Sequence, residues 1–150
     1  MEKDVIELKI VPRCGIGPII LGESRSTVRK AMEEAGLRFE SERASLDYFC
    51  GNSIQVEYHE GTASFIGVAS HTRFTAIYQG RNVFDTPAKE LFAIVADADA
   101  SGTHKFNRNG HVFPNQILTL WEADTQYDPL ERRLIWGQVG LGDARYLQMT

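Results

Sequence analysis

Helical periodicity shows itself in two places along this chain, and the two stand at one fixed offset. From Ser24 to Ala35, the residues Val28, Ala31, Met32 and Ala35 recur at spacings of three and four, with Ser24 placed to cap the start and Gly36 just beyond the end. From Thr86 to Gly102, Thr86 is placed as cap and Pro87 takes the first helical position. Leu91, Phe92, Ile94, Val95 and Ala98 then make a broad apolar face. Val28 falls on Leu91 and Met32 on Val95 at an offset of 63 residues, and the same offset brings Ile54 and Tyr58 onto Ile117 and Trp121. Strand-like segments make up most of the rest. The chain is therefore expected to be α+β.

The expected strands are Val5 to Val11, which stops at Pro12, Leu46 to Cys50, Ile54 to Tyr58, Thr62 to Ala69 and Phe74 to Tyr78. In the second half they are Thr103 to Phe106 and His111 to Phe113, joined by an Asn109-Gly110 turn, then Ile117 to Trp121, Arg133 to Val139 and a short piece from Arg145 to Leu147. The segments 15–79 and 80–147 read as two copies of a helix-plus-meander unit within a single domain, 1–150. The expected architecture is one antiparallel sheet with two helices packed on one face. The other face is left partly solvated and free to bind.

Charge narrows the function. The chain has 150 residues, and 16 basic against 20 acidic side chains give a net charge of −4, without the basic excess that neutralises nucleic-acid phosphates. Direct nucleic-acid binding is not expected. No apolar run reaches the 18 or so residues of a membrane span, and Met1-Glu2-Lys3-Asp4 lacks the layout of a signal peptide. The expectation is a soluble, cytoplasmic protein with no membrane partner. In that compartment Cys14 and Cys50 read as buried thiols.

Several tempting motifs lack a required member. Gly15 and Gly17 suggest a phosphate loop, but Ile20 stands where the dinucleotide fingerprint needs glycine, and Pro18 removes an N–H. Asp97 to Gly102 matches the opening of a calcium loop, yet Lys105 and Arg108 occupy later ligand positions. His59, His71, His104 and His111 lack zinc-site spacing, although His104 and His111 face each other across their expected hairpin. Gly22-Glu23-Ser24 opens a helix instead of a nucleophile elbow. No catalytic residue, metal or cofactor is assigned, and the chain is read as no enzyme. A pocket protein or small enzyme is the alternative, with Cys50, His71 and Arg73 as its polar centre, and an adaptor or secretion chaperone is another.

The acidic residues are unevenly spread. Glu122, Asp124, Asp128 and Glu131 gather around Tyr127 in one loop, and Glu57 and Glu60 flank the turn after the Ile54 to Tyr58 strand. If both turns lie at one edge of the sheet, these seven residues form an acidic rim around aromatic anchors. Such a rim suits rapid capture of a basic protein partner.

The run Gly15-Ile16-Gly17-Pro18-Ile19-Ile20-Leu21-Gly22-Glu23-Ser24, followed by Val28, resembles a "GxGPIxLGMSxxxV" block of bacterial immunity proteins from polymorphic and contact-dependent toxin systems. Glu23 stands where that block has methionine. The run Gly80 to Leu91 resembles the "GxxVFDTPAxEL" block that follows in the same proteins, and the two blocks with the strands between them span about half of the chain. The helix-plus-strands unit is also similar to the repeat of β-lactamase inhibitor proteins and of outer-membrane assembly lipoproteins. The resemblance implies a non-enzymatic binder that occludes the active site of a cognate toxin domain. The acidity of the chain adds that this target is a basic nuclease. The shared blocks mark scaffold, so the resemblance leaves the contact residues unassigned.

Overall fold

The computed structural model describes residues 5–148. Its strands are β1 (Ile6–Val11), β2 (Gly15–Ile16), β3 (Ile19–Ile20), β4 (Phe39–Arg43), β5 (Leu46–Phe49), β6 (Ile54–His59), β7 (Thr62–Val68), β8 (Phe74–Tyr78), β9 (Arg81–Asn82), β10 (Gly110–Phe113), β11 (Leu118–Asp124) and β12 (Ile135–Gly142). Its helices are α1 (Arg25–Glu34), α2 (Ala88–Asp99) and α3 (Ala144–Gln148). The fold is α+β, but its strands divide between two sheets where one was expected. A five-stranded sheet runs β3-β2-β1-β8-β9, with β1 and β8 parallel, and a seven-stranded sheet runs β10-β11-β12-β7-β6-β5-β4. In the larger sheet two antiparallel meanders, β5-β6-β7 and β10-β11-β12, meet where β12 pairs with β7.

The first helix forms as its sequence dictates. Ser24 accepts a hydrogen bond from the Thr27 amide, satisfying one of the orphan donors of the first turn, while Val28 and Met32 are buried. Past its end Leu37 donates to the Met32 carbonyl, with Gly36 at φ 77°. The second helix begins differently from expectation. Thr86 does not cap it: its hydroxyl turns back to the Asn82 carbonyl at 2.8 Å, and Pro87 occupies the cap position. At the far end the left-handed residue is Ala100, two places before Gly102. No helix among the described residues is long and apolar enough to cross a membrane.

Three further expectations change. Residues 103–106 are not a strand, so the hairpin expected there is absent and β10 pairs only with β11. Phe106 instead lies edge-on to Phe92 of α2. The piece from Arg145 to Leu147 is part of α3, where Asp143 accepts from the Arg145 amide at 2.9 Å and so starts a helical turn. Cys14 is exposed, and only Cys50 is buried; the two thiols are free.

Register divides the seven-stranded sheet into two faces. Ile54, Val56, Ile66, Val68, Leu118, Leu120, Val139 and Leu141 share one buried cluster with Val28 and Met32 of α1 and Leu91 and Val95 of α2. Trp136, fully buried, donates its indole N–H to the Ala88 carbonyl at 2.9 Å, tying β12 to the start of α2. The first helix is fastened by charge. Asp47 of β5 is 0% exposed and accepts from Arg25 at 2.8 Å, from Arg29 at 2.7 Å and from the Tyr58 hydroxyl at 3.0 Å. Burial pushes the Asp47 carboxyl upward, but the hydrogen bonds from Arg29, Arg25 and Tyr58 outweigh it and hold the group below the ordinary carboxylate range.

Candidate functional site

The opposite face of the seven-stranded sheet carries an exposed tryptophan, Trp121. Cross-strand pairing sets Glu57 beside Phe65, Gln55 beside Gly67, Gly67 beside Gly140 and Trp121 beside Gln138, all on this face. Phe65 is buried, yet it lies outside the main core cluster. Its ring stacks on Tyr146 of α3 with centroids 4.4 Å apart.

Glycines make room for these rings. A Cβ on Gly140 would meet Phe65 Cζ at 2.4 Å, and one on Gly142 would meet the Tyr146 ring at 2.7 Å. At the other end a Cβ on Gly110 would come within 2.9 Å of the Trp121 ring. The result is a groove of about 610 Å³ lined by Glu57, Phe65, Tyr146, Val112, Trp121 and Gln138, among others. Trp121 is 55% exposed. An exposed tryptophan beside an apolar neighbour, inside a polar surround, has the composition of an interface anchor.

The seven acidic-rim residues are not brought together. Phe65 pairs with Gly142 and Val68 with Val139, so the turn holding Glu60 lies past the C-terminal end of β12 while the loop 125–134 leads into its N-terminal end. The two acidic groups therefore stand at opposite ends of the sheet, and the single rim expected from sequence is replaced by two separate patches. Glu57 alone of the seven lies inside the groove.

Within the loop, Glu122 follows Trp121 at a left-handed position, φ 48°, and accepts from the Tyr127 hydroxyl at 3.3 Å. Asp124 caps a short 3-10 turn through the Gln126 amide and faces Arg108 at 3.6 Å. Asp128 is 2% exposed, bound to Arg133 at 2.9 Å and to the Leu130 amide, and the Arg133 hydrogen bond holds its carboxyl below the ordinary range. Asp128 thus braces the loop from inside, whereas Glu131 is exposed.

Of the alternative polar centre, Cys50 is buried and feels the charge of Arg73. Burial pushes the Cys50 thiol up, away from the thiolate a nucleophile needs. His71 accepts from the Arg73 amide and stacks on Phe74. A different polar chain appears at the end of α2: Ser101 binds Asp99 and lies 2.7 Å from His104, whose Nδ1 is 2.9 Å from His111 Nε2. Asp99 also accepts from the Gln116 amide at 2.8 Å. Among the described residues no three or more His, Cys, Asp or Glu side chains converge as a metal site.

Sequence reasoning placed a binding surface on the open face but overlooked Trp121, Phe65, Tyr146 and Gln138 as its lining. The usable signal was Gly140 and Gly142 in β12, small residues that leave room for rings from neighbouring segments. Compared with protein families, with curated proteins and with solved structures, the chain has no match.

Proposed function

We propose that this chain is an immunity protein of a polymorphic or contact-dependent toxin system. It neutralises a cognate toxin domain, a basic nuclease, by binding over its catalytic site. The observation that carries the reading is the open sheet face with Trp121 exposed at one end of the groove and Glu57 at the other. A folded partner seated there would bury an aromatic anchor and meet uncompensated negative charge, the combination that gives stable and fast-forming protein complexes. The two sequence blocks that resemble immunity proteins support it independently. Gly15 is one of their residues, and a Cβ there would strike the Ile19 carbonyl oxygen at 2.0 Å, in keeping with a scaffold role for that block. Glu60, Glu122, Asp124, Tyr127 and Glu131 serve as outlying contacts, and the protein acts in the cytoplasm, where such a toxin would reach its substrate.

The reading is tested by co-expressing the protein with the product of the toxin gene adjoining its own. Wild-type protein is expected to co-purify as a stoichiometric complex and to protect growth. Trp121→Ala should lose protection while keeping its fold. Absence of both complex and protection with the wild-type chain would refute the assignment.

A further inference from the structure

Glu57 is the one charged side chain that lines the groove, and no hydrogen bond or ion pair to its carboxylate is present among the described residues. Arg145, on the helix that carries Tyr146, is committed elsewhere: it donates to Asp143, to the Thr62 hydroxyl and to the carbonyls of His59 and Ala63. Burial raises the Glu57 carboxyl above its ordinary range, with no countering cation. A partly desolvated carboxylate without a partner is a group whose cost is relieved when a cation arrives.

Its surroundings select the kind of cation. Tyr146 lines the groove with Phe65 stacked behind it at 4.4 Å, presenting a supported ring next to the carboxylate. Gln55, two residues earlier on the same strand face, and Gln138 add amide oxygens that accept. A planar guanidinium satisfies this set fully, since it stacks on an aromatic ring, forks onto a carboxylate and has donors left for amide oxygens. A compact ammonium would meet the carboxylate but not the flat ring and the two amides together.

We infer that Glu57, Tyr146 and the flanking glutamines form a receptor for an arginine side chain projected by the partner protein into the groove. This rests on the function proposed above and adds the chemistry of the contact. The docked arginine would come from a loop of the toxin domain, while Trp121 anchors the far end of the groove. Net charge supports that occupant: the chain stands at −4 and a nuclease surface is basic.

The receptor can be tested without the toxin. Acetyl-arginine-methylamide is titrated into 15N-labelled protein, with the citrulline analogue, which is nearly the same shape but uncharged, as comparison. Saturable amide shifts are expected around Glu57, Phe65 and Tyr146, at least about tenfold weaker for citrulline and for Glu57→Gln, and several-fold weaker for Tyr146→Leu. Equal responses to arginine and citrulline, or shifts centred outside the groove, would overturn the inference. Circular dichroism and the thermal midpoint of Glu57→Gln exclude misfolding as the cause of any loss.

Toxin binding by the same variants separates the two readings. If the wild-type chain and Glu57→Gln hold the toxin equally well, the arginine receptor is wrong and the immunity function stands. If no toxin binds but the arginine derivative does, with Glu57 required, the receptor stands and the immunity function is wrong.

Discussion

His104 and His111 meet ring to ring, Nδ1 of the first 2.9 Å from Nε2 of the second, and donor counting fixes which one donates. Ser101 has a single hydroxyl proton and gives it to Asp99, which as a carboxylate only accepts. His104 Nε2 must then donate to Ser101, and in the neutral imidazole, which carries one N–H, Nδ1 accepts from His111. Every proton in the chain points toward Asp99.

A pH dependence follows. Burial, and after it His104, pushes the His111 pKa below the ordinary histidine value, while Asp99 pulls the other way. The unfolded chain therefore takes up the proton first as pH falls. This contribution to stability is full above about pH 6.5 and is lost as pH falls through the folded pKa. Urea midpoints measured from about pH 7.5 down to about pH 5 should fall for the wild type and fall less for His111→Gln, which keeps a donor to His104 but does not titrate. Glu57, whose pKa is raised, contributes the opposite slope, so Glu57→Gln should steepen the loss.

Asp47 offers a test of the helix fastening. Its replacement by Asn leaves Arg25 and Arg29 with only the exposed Glu42 carboxylate between them and should cost about 2–4 kcal/mol in chemical denaturation, the lower end reflecting the partial exposure of both arginines. By contrast, Glu90→Gln breaks the exposed pair with Arg81 at 3.5 Å and should cost less than about 0.5 kcal/mol. Similar losses for the two would contradict the structural ranking.

The two tryptophans should separate cleanly. Trp136 is fully enclosed and hydrogen-bonded, whereas Trp121 stands in solvent. Trp121→Phe should remove the emission that acrylamide quenches and leave stability within about 0.5 kcal/mol, while Trp136→Phe should cost about 2 kcal/mol or more.

Gly140→Ala puts a methyl group where Phe65 Cζ and Thr119 Oγ1 already lie, at 2.4 and 2.7 Å. The expected cost is about 1–3 kcal/mol, with chemical-shift changes concentrated at Phe65 and Tyr146. Unchanged Phe65 and Tyr146 signals would mean that the ring does not rest on Gly140.

What could be read in advance follows from which signals are local. The first helix was legible because Ser24, Val28 and Met32 specify cap and stripe within one short stretch. Strand β4 was not, because all five of its residues, Phe39 to Arg43, are exposed and no alternation marks them. Its extended form comes from pairing with β5. The open face was foreseen, but its lining was hidden, since Tyr146 reaches Phe65 only through the close approach that Gly140 and Gly142 permit. The acidic rim failed because it depended on which strand lies next to β7. With β12 there, antiparallel, the two turns are sent to opposite ends.

That same placement of β12 sets the order of assembly. The last strand of the sheet in sequence sits at its middle, between β11 and β7. Until residues 135–142 emerge from the ribosome, β7 and β11 each present an unpaired backbone edge, and the Trp136 cavity beside α2 is empty. The nascent chain thus carries an open β7 edge through the whole synthesis of its second half, is joined by a second open edge once β11 is made, and closes both in a single late step, the interval in which it is most exposed to aggregation and to proteolysis.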